Sequence, residues 1–457
     1  MKDKLPVLTG EIGDTWAYGV PSDPQKVSRL QVINRAYQRL DDATEGGIVS
    51  ALANDAVLRN ATRFALKLTE HTWGKDVKSN LFDNRAWKNK DFEAARSSSN
   101  LSLAGQYATL ERSWWEQRHW GVTTFMETLL AAQHPFAKDI LEEFEQLKPT
   151  VPDTTGHSAG HAGEVFTCGE TEIGFDSTGS ISHLVSQGKA FADGNHSLVQ
   201  LKYRSYSAYE VESFIWKYCH SNASWLQHDY GKPGLPVDIA AKIWSPKLKT
   251  LHIKPMNPAA AQSGRNGCSF VLQTEFDPLA SSDYGAAAGW TTVDVDPSTG
   301  EVAVAIKMYN KSSTRLPEAM FVQALPAVAI GRGANWTVNK LGSFIDASDV
   351  LDGGTKHLHG ITRQPALRVT SPPADGDGKR RRMSVSALDA AVVNFGQLTA
   401  YPSPVLTEPD TDQFGASFLL WDNLWGTNCE PGGPLFPLPL PLAITAFLVV
   451  PQPFVVA

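Results

Sequence analysis

The chain has 457 residues, 42% of them apolar and 19% charged, with a net charge of −7 and an isoelectric point near 6.0. These values exclude a disordered chain, a coiled coil and a collagen-like repeat, and apart from a short run at 379–382 they leave no basic footprint for nucleic acid. At about 150 residues per domain, two or three domains fit.

The first residues, MKDKLPVLTGEIGDTW, contain no apolar core of a secretory signal. Gly10-Glu11-Ile12-Gly13-Asp14-Thr15-Trp16 sets two carboxylates and an aromatic in a glycine-hinged loop, which can approach a ligand, offer an acid or base and supply a stacking face. The ordinary reading of such carboxylates is caps and turns.

Residues 21–150 read as a helical bundle. Asp23 before Pro24 is a helix opening, because the aspartate accepts from an unpaired amide and proline's fixed φ suits the first turn. Leu30, Ile33, Tyr37 and Leu40 then fall on one face, as do Leu58, Ala61, Ala65 and Leu68 in a second helix. Trp114, Trp115, Trp120 and Phe125 lie in a long stretch over 110–130, and Phe136, Ile140, Phe144 and Leu147 stripe a further helix. Such stripes bury against one another or against a partner domain.

From 155 to 428 the period changes from 3.6 to 2 and no helix is expected. Residues 291–296 and 301–307 alternate around Pro297-Ser298-Thr299-Gly300, and Ile173 and Phe175 turn through 176–180 into Ile181 and Leu184. The fold class read from this is α+β and multidomain, a helical bundle followed by a large antiparallel β-sandwich region. Residues 429–457 differ from everything before them. They hold seven prolines between 431 and 457, too broken for a membrane span, and read as an aberrant apolar tail from an intron or shifted frame.

The four cysteines, Cys168, Cys219, Cys268 and Cys429, form no CxxC pair and read as small buried hydrophobes. Glu70-His71-Thr72-Trp73-Gly74 closes the second helix with a histidine, a metal ligand or a partner of the helix dipole. Trp114 and Trp115 offer stacking faces for a sugar, although aromatics at helical spacing are more often core.

In order, GEIGDTWAYGVPSDPQKV at 10–27, LTEHTWGKDVKSNLFDN at 68–84, SWWEQRHW at 113–120 and DNLWGTN at 422–428 resemble a group of proteins of the domain-of-unknown-function 5054 type, related to glycoside hydrolase family 38 and its metal-dependent α-mannosidases. The resemblance runs from about residue 6 to 428. It implies an α/β barrel holding most of the active site, then a helical bundle and a β-sandwich region, of which this chain supplies the last two; residues 1–20 are then a loop remnant of the catalytic domain. It further implies zinc as cofactor, carbohydrate as partner, and retaining hydrolysis by two carboxylates. By motif order His71 is the candidate zinc ligand and Asp14 the candidate acid/base, with Glu11, Trp16 and Trp73 as candidate substrate-binding residues. None of the twelve histidines lies in the H-x-D motif of those enzymes, and no segment resembles the strand carrying their nucleophile. The chain is therefore expected to be the C-terminal part of a glycosidase-like protein, inactive alone and without stably bound zinc. The competing reading is a non-catalytic carbohydrate-binding or scaffold module.

Three features stand outside the resemblance. His357-x-His359 shares one strand face, but without a third ligand it reads as surface or interface packing. The basic run at 379–382 follows Asp375-Gly376-Asp377-Gly378 and reads as a solvated hairpin tip rather than a localisation signal. Asn60, Asn100, Asn195, Asn222, Asn310 and Asn335 each begin an N-x-[ST] sequon, where composition alone gives about two, which leans toward a secretory history.

Overall fold

The computed structural model describes residues 15–69, 74–75, 77–218, 231–255, 267–297, 299–309, 311–351, 354–361, 363–373, 380–398, 408–424 and 442–451, with only the backbone of 15–18, 78, 217–218, 255 and 442–451. The helical part opens with a 3-10 helix at Thr15–Ser22, followed by α1 (Pro24–Ala43), α2 (Gly47–Asn54), α3 (Ala56–Thr69), α4 (Val77–Asn80), α5 (Asn89–Arg96), α6 (Leu101–Arg118), α7 (Thr124–Ala131) and α8 (Phe136–Gln146). Asp23 caps α1 as its spacing predicts, accepting from the Lys26 amide with Pro24 in the first turn.

Leu58, Ala61, Ala65 and Leu68 are all buried along α3. The first three pack against Val32, Ile33 and Ala36 of α1, Phe125 and Leu129 of α7 and Ile140 of α8. On α1 the stripe is rotated from its expected centre toward Val32 and Ala36, while Leu30 stays half-buried. A separate apolar cluster joins α4, α5 and α6 through Val77, Phe92, Tyr107 and Leu110.

The remainder is α+β, as read, but the β part is not one sandwich. Its antiparallel strands divide among sheets of ten, six and four, disposed like the blades of a four-bladed propeller. One contiguous apolar core serves all three, from Ile173 and Phe175 in the four-stranded sheet to Phe270 and Val369 in the ten-stranded sheet and Phe321 and Phe418 in the six-stranded sheet. Period-2 patterning finds hairpins but not which sheets face each other, and here lies the difference from the expectation.

Both expected hairpins are present: Gly289–Val295 pairs with Val302–Met308, and Thr171–Phe175 with Ile181–Ser186. In the second, Asp176 Oδ1 accepts from the Thr178 and Ser180 amides at 2.7 and 3.1 Å. Leu367–Thr370 and Arg382–Ala387 also pair, so the basic run lies on a hairpin connection, with 374–379 outside the described residues.

Three further expectations change. An eleven-residue helix, Ala208–Tyr218, interrupts the β region, and buries Val211, Phe214 and Ile215 at helical spacing. Cys168 and Cys268 are joined in a disulfide with Cα atoms 5.4 Å apart, tying the four-stranded sheet to the ten-stranded one across 100 positions of chain. Sequence separation hides this pairing, because only the stacking of the two sheets brings the strand ends together. Cys219 and Cys429 lie outside the described residues. Within the tail, Leu442–Pro451 runs as a strand between Val302–Met308 and Arg382–Ala387, pairing with both. Its prolines cluster before 442 and at its end, which leaves an uninterrupted run of amides for the two ladders.

Candidate functional site around Trp114 and Asp422

Glu11, Asp14, His71 and Trp73 lie outside the described residues, and of Trp16 only the backbone, within the Thr15–Ser22 helix, is described. The residues flanking them are described, and they converge. The Thr15–Ser22 helix packs on the six-stranded sheet beside Leu358–Gly360, Val392–Phe395 and Ala416–Asp422. At its end Ser22 Oγ donates to Asp422 Oδ1 at 3.2 Å, joining the first motif segment to the fourth. Asp23 Oδ2 meets Arg118 Nε at 2.5 Å, and Lys26 Nζ donates to Gln117 Oε1 at 3.0 Å, joining the first to the third. The second segment also meets the third: the Lys75 amide donates to Ser113 Oγ at 2.9 Å, and Gly74 lies so close to the Trp114 indole that a Cβ there would stand 2.3 Å from Nε1. Gly74 is at φ +70°, a conformation glycine adopts without strain.

Trp114 is the hub, buried against Val27, Val20 and Ala391. It belongs to the core rather than to an open subsite, whereas Trp115 and Trp120 are half-exposed at 50% and 56%. Between α6 and α7 the chain makes a five-residue π-helical turn, His119–Thr123. Gly121 in that turn lies against Leu68 near the end of α3, where a Cβ would come within 2.2 Å of Leu68 Cδ1. Such turns recur at functional sites. Here the turn packs on α3 near its end at Thr69, two positions before His71 in the sequence, while Val20, six positions after Asp14, packs on Trp114.

The electrostatics at the convergence are those of buried, paired groups. Burial by itself raises the Asp23 carboxyl, but the charge and hydrogen bond of Arg118, then Lys26, bring it below the ordinary value. Asp422 goes the other way: burial holds its carboxyl well above the ordinary range against the smaller effects of Ser22 and Lys232, and Glu318 adds to the rise. Its Oδ2 has no hydrogen-bond partner among the described residues. On the neighbouring strand, Glu318 takes a 2.5 Å hydrogen bond from the Tyr203 hydroxyl and pairs with Lys311 at 2.6 Å. Asn423 donates to the carbonyls of Thr314 and Leu316, both at 3.0 Å, fixing the strand end. These groups position backbone; none of the buried carboxylates is open to a substrate.

Sequence reasoning found Asp23 only as a cap and missed Arg118, Glu318 and Asp422. The missed signal was an acid inside an otherwise apolar strand, as in Leu419-Leu420-Trp421-Asp422, where a carboxyl must be paired or neutral. The histidines at 357 and 359 are buried, not at the surface. His357 Nδ1 lies 3.2 Å from the Phe395 carbonyl, and the His359 ring packs edge-on against Phe395. Among the described residues no three histidine, cysteine or carboxylate side chains are grouped to hold a metal. No helix among the described residues is long and apolar enough to cross a membrane.

The model of a family described as a domain of unknown function, DUF5054, matches residues 20–308. The chain belongs to that family. The matched range takes in the last eight residues of the first motif segment, all of the second and third, and the β region as far as Val302–Met308, so the DUF5054 match contains Trp114, the Asp23–Arg118 pair and the π-helical turn. Asp422 and the fourth segment lie beyond it. No curated protein matches the chain.

Proposed function

We propose that this DUF5054 protein is the helical and β portion of a glycoside hydrolase family 38-like protein, engaging carbohydrate through the segments that hold Asp14 and His71. The observation that carries the reading is the convergence on Trp114, Asp23 and Asp422 of the described parts of all four motif segments, which in the sequence flank Asp14 and His71. Half-exposed Trp115 and Trp120 supply stacking faces on the same helical run. In this reading Asp14 stands where the family has its acid/base and His71 where it has a metal ligand, and Glu11, Trp16 and Trp73 contact sugar. Retaining hydrolysis needs a second carboxylate about 5–5.5 Å from the first. The sequence has no H-x-D segment and no recognisable nucleophile strand, so the chain binds saccharide without turning it over.

Titration of the full chain with methyl α-mannoside and short α-mannosides, by calorimetry and alongside an aryl α-mannoside assay, tests this. Saturable binding weakened by Trp120→Ala, with no release of the aryl group, is expected. Absence of binding to any of these saccharides would refute the reading in favour of a scaffold, and turnover abolished by Asp14→Asn would refute its non-catalytic half.

A further inference from the structure

We propose that this chain folds in an oxidising secretory compartment and carries N-linked oligosaccharide on one or more of Asn60, Asn100, Asn195 and Asn335. Two independent observations meet here. The first is the Cys168–Cys268 disulfide, with cysteines 0% and 5% exposed, which closes a loop of 100 positions between two sheets. Disulfides of this structural kind are rare where glutathione and thioredoxin keep thiols reduced. The second is the excess of sequons, whose geometry suits the modification. In all four described sequons the asparagine is exposed, and none belongs to the buried cluster around Trp114 and Asp422.

Each site also keeps its local structure once glycosylated. Asn60 projects from the exposed face of α3, while the Thr62 hydroxyl of its sequon bonds back to the Leu58 carbonyl. Asn100 caps α6 through Oδ1, which accepts from the Ser102 and Leu103 amides. Glycosylation occurs at the nitrogen and leaves that acceptor in place. Asn195 sits in the tight turn between Asp193 and His196. Asn335 donates from Nδ2 to Asp346 at 3.1 Å, and the secondary amide left after modification still has one N–H to donate.

The chemistry balances with two co-reactants. The asparagine amide nitrogen attacks the anomeric carbon of a polyprenyl-diphosphate-linked oligosaccharide; the new C–N bond replaces the C–O bond to phosphate, the lipid diphosphate leaves, and the amide proton passes to a base of the transferase. The two thiols lose two electrons and two protons to a disulfide-donating oxidoreductase, which is reduced to its dithiol.

The test is mass spectrometry of the full chain purified from its own cells, with free thiols alkylated at lysis. Peptides are treated with an N-glycan amidase in heavy-oxygen water, which converts a glycosylated asparagine to labelled aspartate. We expect label on one or more of the four asparagines together with a Cys168–Cys268 cross-linked peptide that reductant separates. No label at any of the four, or recovery of Cys168 and Cys268 as alkylated thiols, would overturn the proposal. The saccharide binding proposed above bears on neither readout.

Discussion

Arg118→Met separates the charge of the Asp23–Arg118 pair from its packing, because methionine keeps much of the apolar stem and removes the guanidinium. The two side chains are 6% and 0% exposed and 2.5 Å apart, so the substitution leaves a buried carboxylate that Lys26 and Arg29 compensate only in part. Breaking a buried pair in this way costs about 3–5 kcal/mol, and at about 2 °C per kcal/mol for a large domain the melting temperature should fall by roughly 6–10 °C. The pH dependence gives the reason. In the parent, Asp23 is held below its unfolded value, so its contribution is present above that value and lost as pH falls through the folded one. Without Arg118, burial is the dominant influence and the folded value rises above the unfolded one, so the variant loses stability as pH rises. That inversion makes the variant's deficit greatest at neutral pH and smaller in acid. Urea unfolding of parent and variant, followed by far-ultraviolet circular dichroism at pH 7 and pH 4, should show a large deficit at neutral pH that shrinks markedly in acid. Adding Asp23→Asn, which keeps the helix cap, should restore more than half of the loss at pH 7. A deficit below about 1 kcal/mol, or one of equal size at both pH values, would refute the reasoning.

Asp422→Asn should be at least as stable as the parent at pH 8, because the raised folded value means that stability is lost as pH rises through it, and an amide keeps the acceptor for Ser22 without the ionisation; thermal melts at pH 4 and pH 8 check that the difference closes in acid. Arg315→Met removes donors to the Ala86 and Asp83 carbonyls and the Tyr107 hydroxyl at 3.1, 2.9 and 3.0 Å and the contact over Trp87. It should cost about 3 kcal/mol or more and open the 81–88 segment to proteolysis before the β region. Gly234→Ala should destabilise by more than about 1 kcal/mol in a urea titration, since Gly234 is at φ +80° and a Cβ there would lie 1.9 Å from the Asn84 carbonyl oxygen.

The elements that the sequence makes legible are those whose causes are local. Asp23-Pro24 opens a helix wherever it stands in front of a striped segment, and the α3 stripe needs only its own spacing. The turn at 176–180 is written in its aspartate and glycine. What was not legible depends on partners distant in the chain. Cys168 finds Cys268 only after two sheets stack, and Asp422 becomes a buried acid only because the Thr15–Ser22 helix, 400 positions earlier, covers its strand. The strands Glu318–Ala324 and Ala416–Asp422 are buried at every position, so they show no alternation from which the covered face could be read. Helix Ala208–Tyr218 was missed for another reason: its spacing was visible in Val211, Phe214 and Ile215, but strand patterning on both sides outweighed it.

The π-helical turn at His119–Thr123 makes chain length at this point a matter of phase. Each residue of an α-helix advances by about 100°, and the extra residue accommodated here lets Arg118 face Asp23 while Phe125, Met126 and Leu129 face α3. Loss of a single residue between 119 and 123 would relax the turn to an ordinary helix and swing one contact set away from its partners by that angle. Gain of one would do the same in the opposite sense. The number of residues between Arg118 and Phe125 is thus fixed by the contacts on either side: an insertion or deletion displaces a whole contact set, where a substitution away from Gly121, which has no room for a Cβ, alters one side chain.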